Sequence, residues 1–435
     1  MELLVGHNLA ADYLKLKRAG WIRDGHEPEL FDTMIAAFFQ GHINVSLADL
    51  TANIRHQHIS EFNQSMLDGP FPSKALCEHN STDVEATRQL YMHLKDKKYP
   101  PAFKLDMKFI PVLADMMERG IHCDTDKAER MLHYAQSQMN VLEERIPLNP
   151  NSWQQVSAYL GTPNAQAHTL EALDNPDAND IVLYKQLEKQ CAFLEEYAKE
   201  EVIHSHFNTT VVPSGRLSSS SPNIQNVPKN YHTRSLFIPR PGHVFLIYDY
   251  NAIEYVVGVR LSKDPELNRR IDAGEDFHQY TMDYFNIGRT RAKNVNFLAL
   301  YLGKAKGIIP YAGCSLAKAE KFLATYPLAK WSKQTALIAE ELGYSQTVLG
   351  RTRPFESPQI AVNHVCQGTA IEFVKAGMIM CHEFHPVSQI HDEIIMEVPI
   401  QEAEEADKEV KKRLEHNAFG VKVKGGIYQN WGQAL

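Results

Sequence analysis

The sequence predicts an α+β protein of two or three domains, and three observations carry that expectation. The chain has 435 residues, more than a single core usually holds. Two apolar strand-like stretches, one near 240–260 and one near 385–400, bracket a long run of helical spacing. A separate strand-like run, Leu3–Val5, opens the chain and is followed by helical patterns.

Taken in order, residues 1–98 read as α/β, with a charged exit at Lys95-Asp96-Lys97-Lys98. Tyr99-Pro100-Pro101 breaks helix and marks a boundary. Residues 102–200 are mostly helix-patterned: Phe109, Val112, Leu113, Met116 and Met117 recur at three- and four-residue steps, and Gly120 is a stop. Leu148-Asn149-Pro150-Asn151-Ser152 offers a turn and then a cap. His243–Asp249 reads as a buried strand ending in an acid. Residues 266–345 return to helical spacing. Val387–Ile390 and Glu393–Val398 flank His391-Asp392 as strand, turn, strand. One sheet could therefore bring Asp249 and Asp392 together across the helical insertion.

Composition is that of a soluble globular protein, 44% apolar and 23% charged. No apolar run reaches ~18 residues, so no membrane span is expected. The first residues lack a basic, apolar leader, so no signal peptide is expected either. Six cysteines are scattered singly. That excludes a disulfide framework or zinc site and fits a reducing, cytoplasmic setting. The net charge of −8 argues against nucleic acid, but residues 289–333 hold nine Lys/Arg against one acid, Glu320. A local basic surface attracts phosphates even on an acidic protein; a solvated helix face is the other reading.

Two strand-end aspartates suggest two-metal phosphoryl chemistry, because Mg²⁺ takes oxygen ligands and often only one or two protein carboxylates. Turn or cap residues are the plainer reading of the same pair. Arg289, Lys293, Phe297 and Tyr301 recur every four residues and form a drifting stripe on one helix. Cations can hold a triphosphate and an aromatic face can stack on a base. An ordinary amphipathic helix gives the same spacing.

Five ordered blocks decide between these readings. They are Ser214-Gly215-Arg216-Leu217-Ser218 through Asn223-Ile224-Gln225-Asn226-Val227-Pro228 with Arg234 after it; Asp249-Tyr250-Asn251-Ala252-Ile253-Glu254; the Arg289/Lys293/Phe297/Tyr301 stripe; Asn363-x-x-x-Gln367-Gly368-Thr369-Ala370; and Gln389-Ile390-His391-Asp392-Glu393. Together with Asn430-Trp431 near the end, they resemble the family A DNA polymerases, the DNA polymerase I type, over about residues 100–435. The resemblance implies a right-hand fold: a thumb at 102–200, a palm at 201–265 and 359–435, and fingers at 266–358. It implies a DNA-directed DNA polymerase acting in DNA replication, with DNA primer-template and dNTPs as partners and two Mg²⁺ ions as cofactors. The shortness of the chain suggests a phage-like source, hence viral DNA replication in a host cytoplasm.

Residue by residue, the resemblance implies that Asp249 and Asp392 bind both metals with help from the Tyr250 carbonyl, and that Glu393 lies beside them. Glu254 would exclude ribonucleotides. Arg289, Lys293 and His278 would hold the triphosphate, Lys293 also as a proton donor, with Phe297 and Tyr301 against the nucleotide and templating base. Arg216, Asn223, Gln225, Arg234, Arg353, Asn363, Gln367 and His391 would contact DNA, partly in the minor groove, whose acceptors are nearly sequence-independent. Four positions depart from the family pattern. Leu302 stands where Gly usually follows the motif tyrosine, Ala252 replaces a polar residue, and Val256 and Gln359 replace arginines.

Val5-Gly6-His7-Asn8 through Asp12 resembles the second motif of the family's 3′–5′ exonuclease domain, and His79-x-x-x-Asp83 the third, with His in place of Tyr. No Asp-x-Glu first motif precedes them. Residues 1–98 are therefore expected to be a truncated exonuclease-like domain with only Asn8, Asp12, His79 and Asp83 as residual site residues. Proofreading should be weak or absent unless a separate polypeptide or other replication partner completes the domain, for which a sheet edge near Leu3–Val5 would stand open. A non-catalytic DNA-binding replication subunit is the alternative from another class. A single-subunit RNA polymerase is the rival among enzymes, disfavoured by Glu254 and the Gln-Gly-Thr-Ala block.

Overall fold

A computed structural model describes residues 2–23, 25–56, 58–59, 62–67 and 72–435. At the N-terminal end, β1 (Leu3–Gly6) pairs in parallel with β2 (Glu29–Asp32), and α1 (Leu9–Arg18) makes the crossover that a parallel pair needs. These two strands form a sheet of their own. Asp32 ends β2 and caps α2 (Thr33–Phe39), accepting from Met34 N–H at 2.8 Å and reaching Leu9 N–H at 2.6 Å. Helices α3 (Leu47–Arg55) and α4 (Lys74–Leu94) complete this region.

Helix α5 (Pro101–Arg119) starts on a proline in its first turn and stops at Gly120, whose φ of +62° suits glycine. Its apolar stripe, Phe109, Val112, Leu113 and Met116, is buried. It packs on α1 at one side and on the later helix α18 and strand β11 at the other. This sharpens the expected 102–200 unit. α5 lies in the main core, whereas α6 (Thr125–Arg145), α7 (Trp153–Leu160, capped by Ser152), α8 (Ala167–Leu170) and α9 (Pro176–Tyr197) gather a small core of their own around Leu142, Val156, Leu170 and Ile181. The short strands β3 (Ile121–Cys123), β4 (Val202–Ile203) and β7 (Phe237–Ile238) tie that unit to the rest. Between them lie the hairpin of β5 (His206–Asn208) and β6 (Ser218–Ser220), and α10 (Tyr231–Arg234).

The central sheet has the order β11-β12-β8-β13 and is antiparallel throughout. β8 (His243–Tyr250), β11 (Pro386–Ile390) and β12 (Glu393–Pro399) are the strands the sequence predicts. β13 (Val423–Tyr428) is not among them: Gly425 and Gly426 dilute its strand signal. Gly425 is required there, since a Cβ would meet the Ile247 carbonyl oxygen at 1.8 Å. Helix α19 (Ala403–Glu415) packs on this sheet.

Between β8 and β11 runs the helical insertion. It comprises α11 (Ile253–Ser262), α12 (Pro265–Asp272), α13 (Gln279–Phe285), α14 (Arg289–Leu300), α15 (Ala305–Ala312), α16 (Leu316–Thr325) and α17 (Pro327–Leu342). The hairpin of β9 (Tyr344–Gln346) and β10 (Thr352–Pro354) follows, then α18 (Pro358–Met380). Its core is separate from the sheet's and includes Tyr255, Val295, Phe322, Tyr326 and Leu328, with Val362 and Cys366 of α18 closing it. No helix among the described residues is long and apolar enough to cross a membrane.

Candidate active site

The antiparallel register of β8 and β12 brings the two strand-end acids together. Glu393 stands opposite Asp249, and the Tyr250 N–H donates to the Asp392 carbonyl at 3.2 Å. A two-residue turn, His391-Asp392, closes β11 onto β12, with Ile390 facing Glu393. His391 takes φ +57°, the left-handed conformation that such tight hairpins demand. Asp249 and Asp392 line one cavity of about 520 Å³ together with Tyr250, His278, Arg289, Lys293, Phe297 and Glu393. Every residue that the sequence reading assigned to the metals or the triphosphate therefore borders one space.

Burial pushes the Asp392 carboxyl up to about 7; Arg216 opposes this, and Glu254 and Asp249 add to it. Arg216 donates to Glu254 at 2.6 Å and lies 3.6 Å from Asp392. The Tyr301 hydroxyl donates to the other oxygen of Glu254. Tyr301 caps the end of α14 and Glu254 sits in the first turn of α11, so this bond joins those two helices just past the end of β8. Burial raises the Tyr301 hydroxyl far above its ordinary range, so it remains a donor. On α14, Arg289 pairs with Asp276 at 2.5 Å, and the Lys293 ammonium lies 5.9 Å from the Phe297 ring centre. Burial, with Arg289 and Lys293 nearby, lowers the His278 imidazole to about 4 against the pull of Asp276, so the ring is neutral near pH 7.

The expected DNA contacts divide. Asn363 and Gln367 lie one turn apart on α18, and Gln367 accepts from Ser214 at 2.8 Å. Asn223 accepts from Ser219 at 2.8 Å, and Gln225 donates to the Gln389 carbonyl at 3.1 Å. Arg353 pairs with Glu356 at 2.8 Å. Arg234 requires a correction. It is buried, bonds Glu393 at 3.0 Å and stacks on Trp431, whose indole N–H also donates to Glu393 at 2.7 Å. A desolvated guanidinium already paired with a buried carboxylate is not a DNA contact; its work is to hold Glu393.

The sequence reading also missed cavity residues. Lys229, Lys424 and Tyr428 line the same space. Lys229 directly follows the first block at Pro228, the one available signal, whereas Lys424 and Tyr428 come from the unforeseen β13.

The family model for DNA polymerase family A matches residues 121–433. The chain belongs to DNA polymerase family A. This family A chain is 29% identical to the thermostable DNA polymerase I of Thermus filiformis, in a match that covers 74% of the chain and 47% of that protein. It is 25% identical to the DNA polymerase I of Borreliella burgdorferi, covering 95% of the chain and 53% of that protein. It thus spans about half the length of these relatives. Against the DNA polymerase I of Aquifex aeolicus it is 25% identical, with 98% and 88% covered. A solved POL domain of Pol1 from M. smegmatis, in complex with DNA primer-template and dNTP, superposes with a TM-score of 0.80 at 20% identity, covering 97% of this chain and 89% of that one. The right-hand fold class follows from that likeness.

Two departures from the family pattern have visible consequences in this family A chain. Leu302 has φ +57° and Ala252 φ +49°, so both adopt a conformation costly for residues with a Cβ. Val256 is buried in the core and Gln359 lies in the first turn of α18. At the N-terminal end, Asn8 takes φ +59° and its N–H reaches Asp32 at 3.3 Å. Asp12 is largely exposed and 3.8 Å from Lys15, and His79 lies 3.5 Å from Asp83. The expected open edge at Leu3–Val5 belongs to β1, whose strand partner is β2.

Proposed function

We propose that this chain is a DNA-directed DNA polymerase that joins a dNTP to a primer 3′-OH on a DNA template. The observation that carries the reading is the register of β8 on β12, which places Asp249 and Asp392 on the same cavity as Arg289, Lys293 and Phe297. The relatives named as DNA polymerase I and the solved neighbour with primer-template and dNTP support it.

The donor set fits Mg²⁺. Asp249, Asp392 and the Tyr250 carbonyl offer oxygen only, and Asp249 and Glu254 help hold the Asp392 carboxyl up, a crowding of carboxylates that a divalent cation would relieve. Among the described residues no cluster of three or more His, Cys, Asp or Glu has metal-binding geometry, but magnesium takes one or two carboxylates and completes its shell with water and phosphate oxygens. Bound there, two ions would lower the pKa of the attacking hydroxyl and neutralise the leaving pyrophosphate. Arg289 and Lys293 supply the positive charge for the triphosphate, and Lys293 can pass a proton to the leaving group. Phe297 offers an apolar face to the nucleotide. Glu254, held by Arg216 and Tyr301, fills the place where a ribose 2′-OH would sit. Asn363, Gln367, Arg216 and His391 serve the primer-template.

The test is primer extension with dNTPs or NTPs and Mg²⁺, beside Asp249→Asn and Asp392→Asn. Each substitution should cut the rate by on the order of 10³-fold or more, since each removes metal charge stabilisation worth several kcal/mol. Extension that survives both changes would sink the assignment, and a parent chain that binds DNA without extending it would favour a clamping role. The exonuclease-like residues are proposed to give little 3′–5′ activity, because an exposed Asp12 and a His-paired Asp83 do not assemble a two-metal site. Mg²⁺-dependent loss of 3′ nucleotides from a mismatched primer, abolished by Asp83→Ala, would overturn that.

A further inference from the structure

Behind the triphosphate cations runs a buried polar chain that the mechanism above leaves unused. The Thr281 hydroxyl on α13 donates to the Asn296 amide oxygen on α14. The Asn296 amide nitrogen meets His278 Nδ1 at 2.8 Å. Beyond Thr281, the hydroxyls of Tyr326 and Tyr255 bond each other at 2.7 Å. His278, Thr281, Asn296, Tyr326 and Tyr255 are all buried.

With the Asn296 amide oxygen placed on Thr281, the direction of this chain sets the ring proton. With the amide oxygen turned to Thr281, the atom facing His278 is an NH₂ group, which can only donate. Nδ1 must then be the bare, accepting nitrogen of a neutral imidazole, and the ring's single proton sits on Nε2. The residue lines the cavity shared with Asp249 and Asp392. Its charged neighbours are Asp276, whose carboxylate accepts from the His278 backbone N–H at 2.8 Å, and Arg289 and Lys293 on α14. From α11, Tyr255 presents its ring edge-on at 5.5 Å.

We propose that Asn296 is a positioning residue that locks His278 as its Nε2–H tautomer, so that the ring presents one fixed N–H donor to an incoming triphosphate. A donor of set direction costs no reorganisation when the anion arrives. A neutral ring also keeps that donor without placing a buried charge beside the exposed cations Arg289 and Lys293. The ligand in this inference rests on the polymerase reading; the protonation of the ring does not.

The deciding measurement is the ¹⁵N spectrum of the imidazole in the labelled full chain, with His278 assigned by comparison with His278→Gln. The expected result is a pyridine-type Nδ1 and a pyrrole-type Nε2, unchanged from about pH 6 to about pH 8. A protonated Nδ1, or a mixture of tautomers, overturns the proposal. Asn296→Asp then replaces the donor with an acceptor of the same shape. It should move the ring proton to Nδ1 and raise the KM for dNTP by about 10-fold, the worth of one hydrogen bond to a charged group, with a smaller change in kcat. Moved ring signals with an unchanged KM would overturn the positioning role. Thr281→Val, which frees the amide without adding charge, should shift both readouts in the same direction and serves if Asn296→Asp does not fold. If the parent chain extends no primer, the polymerase reading and its ligand fall, while the ring spectrum still decides the tautomer.

Discussion

At the scale of single residues, Leu302 is the place where this sequence departs most visibly from its family. The position follows Tyr301 at the end of α14 and has φ +57°. A Cβ in that conformation costs about 1–2 kcal/mol, which glycine avoids. Leucine recovers part of this by packing against the core of the helical insertion. Two substitutions separate the terms. Leu302→Ala keeps the strain and loses the packing; Leu302→Gly loses both. Glycine is ordinarily the worse choice inside a regular element, but here Leu302→Gly should be more stable than Leu302→Ala by about 1 kcal/mol, read as midpoints of urea unfolding. The usual order, Ala above Gly, would show that the left-handed turn is unstrained.

At the scale of elements, the joint between α5, the β9–β10 hairpin and α18 is built on buried charge. Asp106 of α5 bonds Arg351 and Lys375, each at 2.7 Å. Glu372, one turn before Lys375 on α18, receives the Thr347 hydroxyl at 2.5 Å and the Leu349 N–H at 3.1 Å but forms no ion pair with these cations. Burial therefore pushes its carboxyl up to about 7 from an ordinary 4.5. Between those values the folded chain keeps the proton and the unfolded chain has lost it. Stability then falls as pH rises through this window, by about 2–4 kcal/mol in all, and the loss is complete above the folded value. Glu372→Gln mimics the protonated form. Its melting temperature relative to the parent should climb from about pH 5 to about pH 8; a constant difference would mean that Glu372 is ionised throughout.

Nothing in the residues around Asp106, Arg351 and Lys375 announces that joint, because they are separated by some 250 positions and meet only through packing. The strands that carry the two aspartates were legible for the opposite reason. An apolar run ending in an acid, and a two-residue turn between apolar runs, are local patterns that β8, β11 and β12 satisfy by themselves. The stripe of Arg289, Lys293, Phe297 and Tyr301 was legible as well, since four-residue steps define one helix face. Arg234 was misread because sequence shows a cation but not its burial. Lys229, Lys424, Asp276 and Asn296 were missed because their importance depends on what faces them.

At the scale of the whole molecule, a chain of net charge −8 is proposed to hold a polyanion. The basic run from Arg289 to Lys333 falls on consecutive helices, α14 to α17, so the positive charge is concentrated in one unit. Binding of primer-template should then be electrostatic at its base. With on the order of six phosphates neutralised, log affinity should fall against log salt with a slope near −5, measured by anisotropy titration. A slope near zero would mean that the basic helices face solvent and not DNA.

The α+β class, the ordered blocks, the two strand-end aspartates and the helix that carries the cations could all be read along the chain. All of these are written in local periodicity and turn chemistry. That Glu393 stands opposite Asp249, that β13 completes the sheet and adds Lys424, that Arg234 braces Glu393 and that Asn296 faces His278 emerged with the folded chain. Register, burial and the partner of a polar atom are properties of pairs brought together by packing, and no single stretch of sequence contains both members.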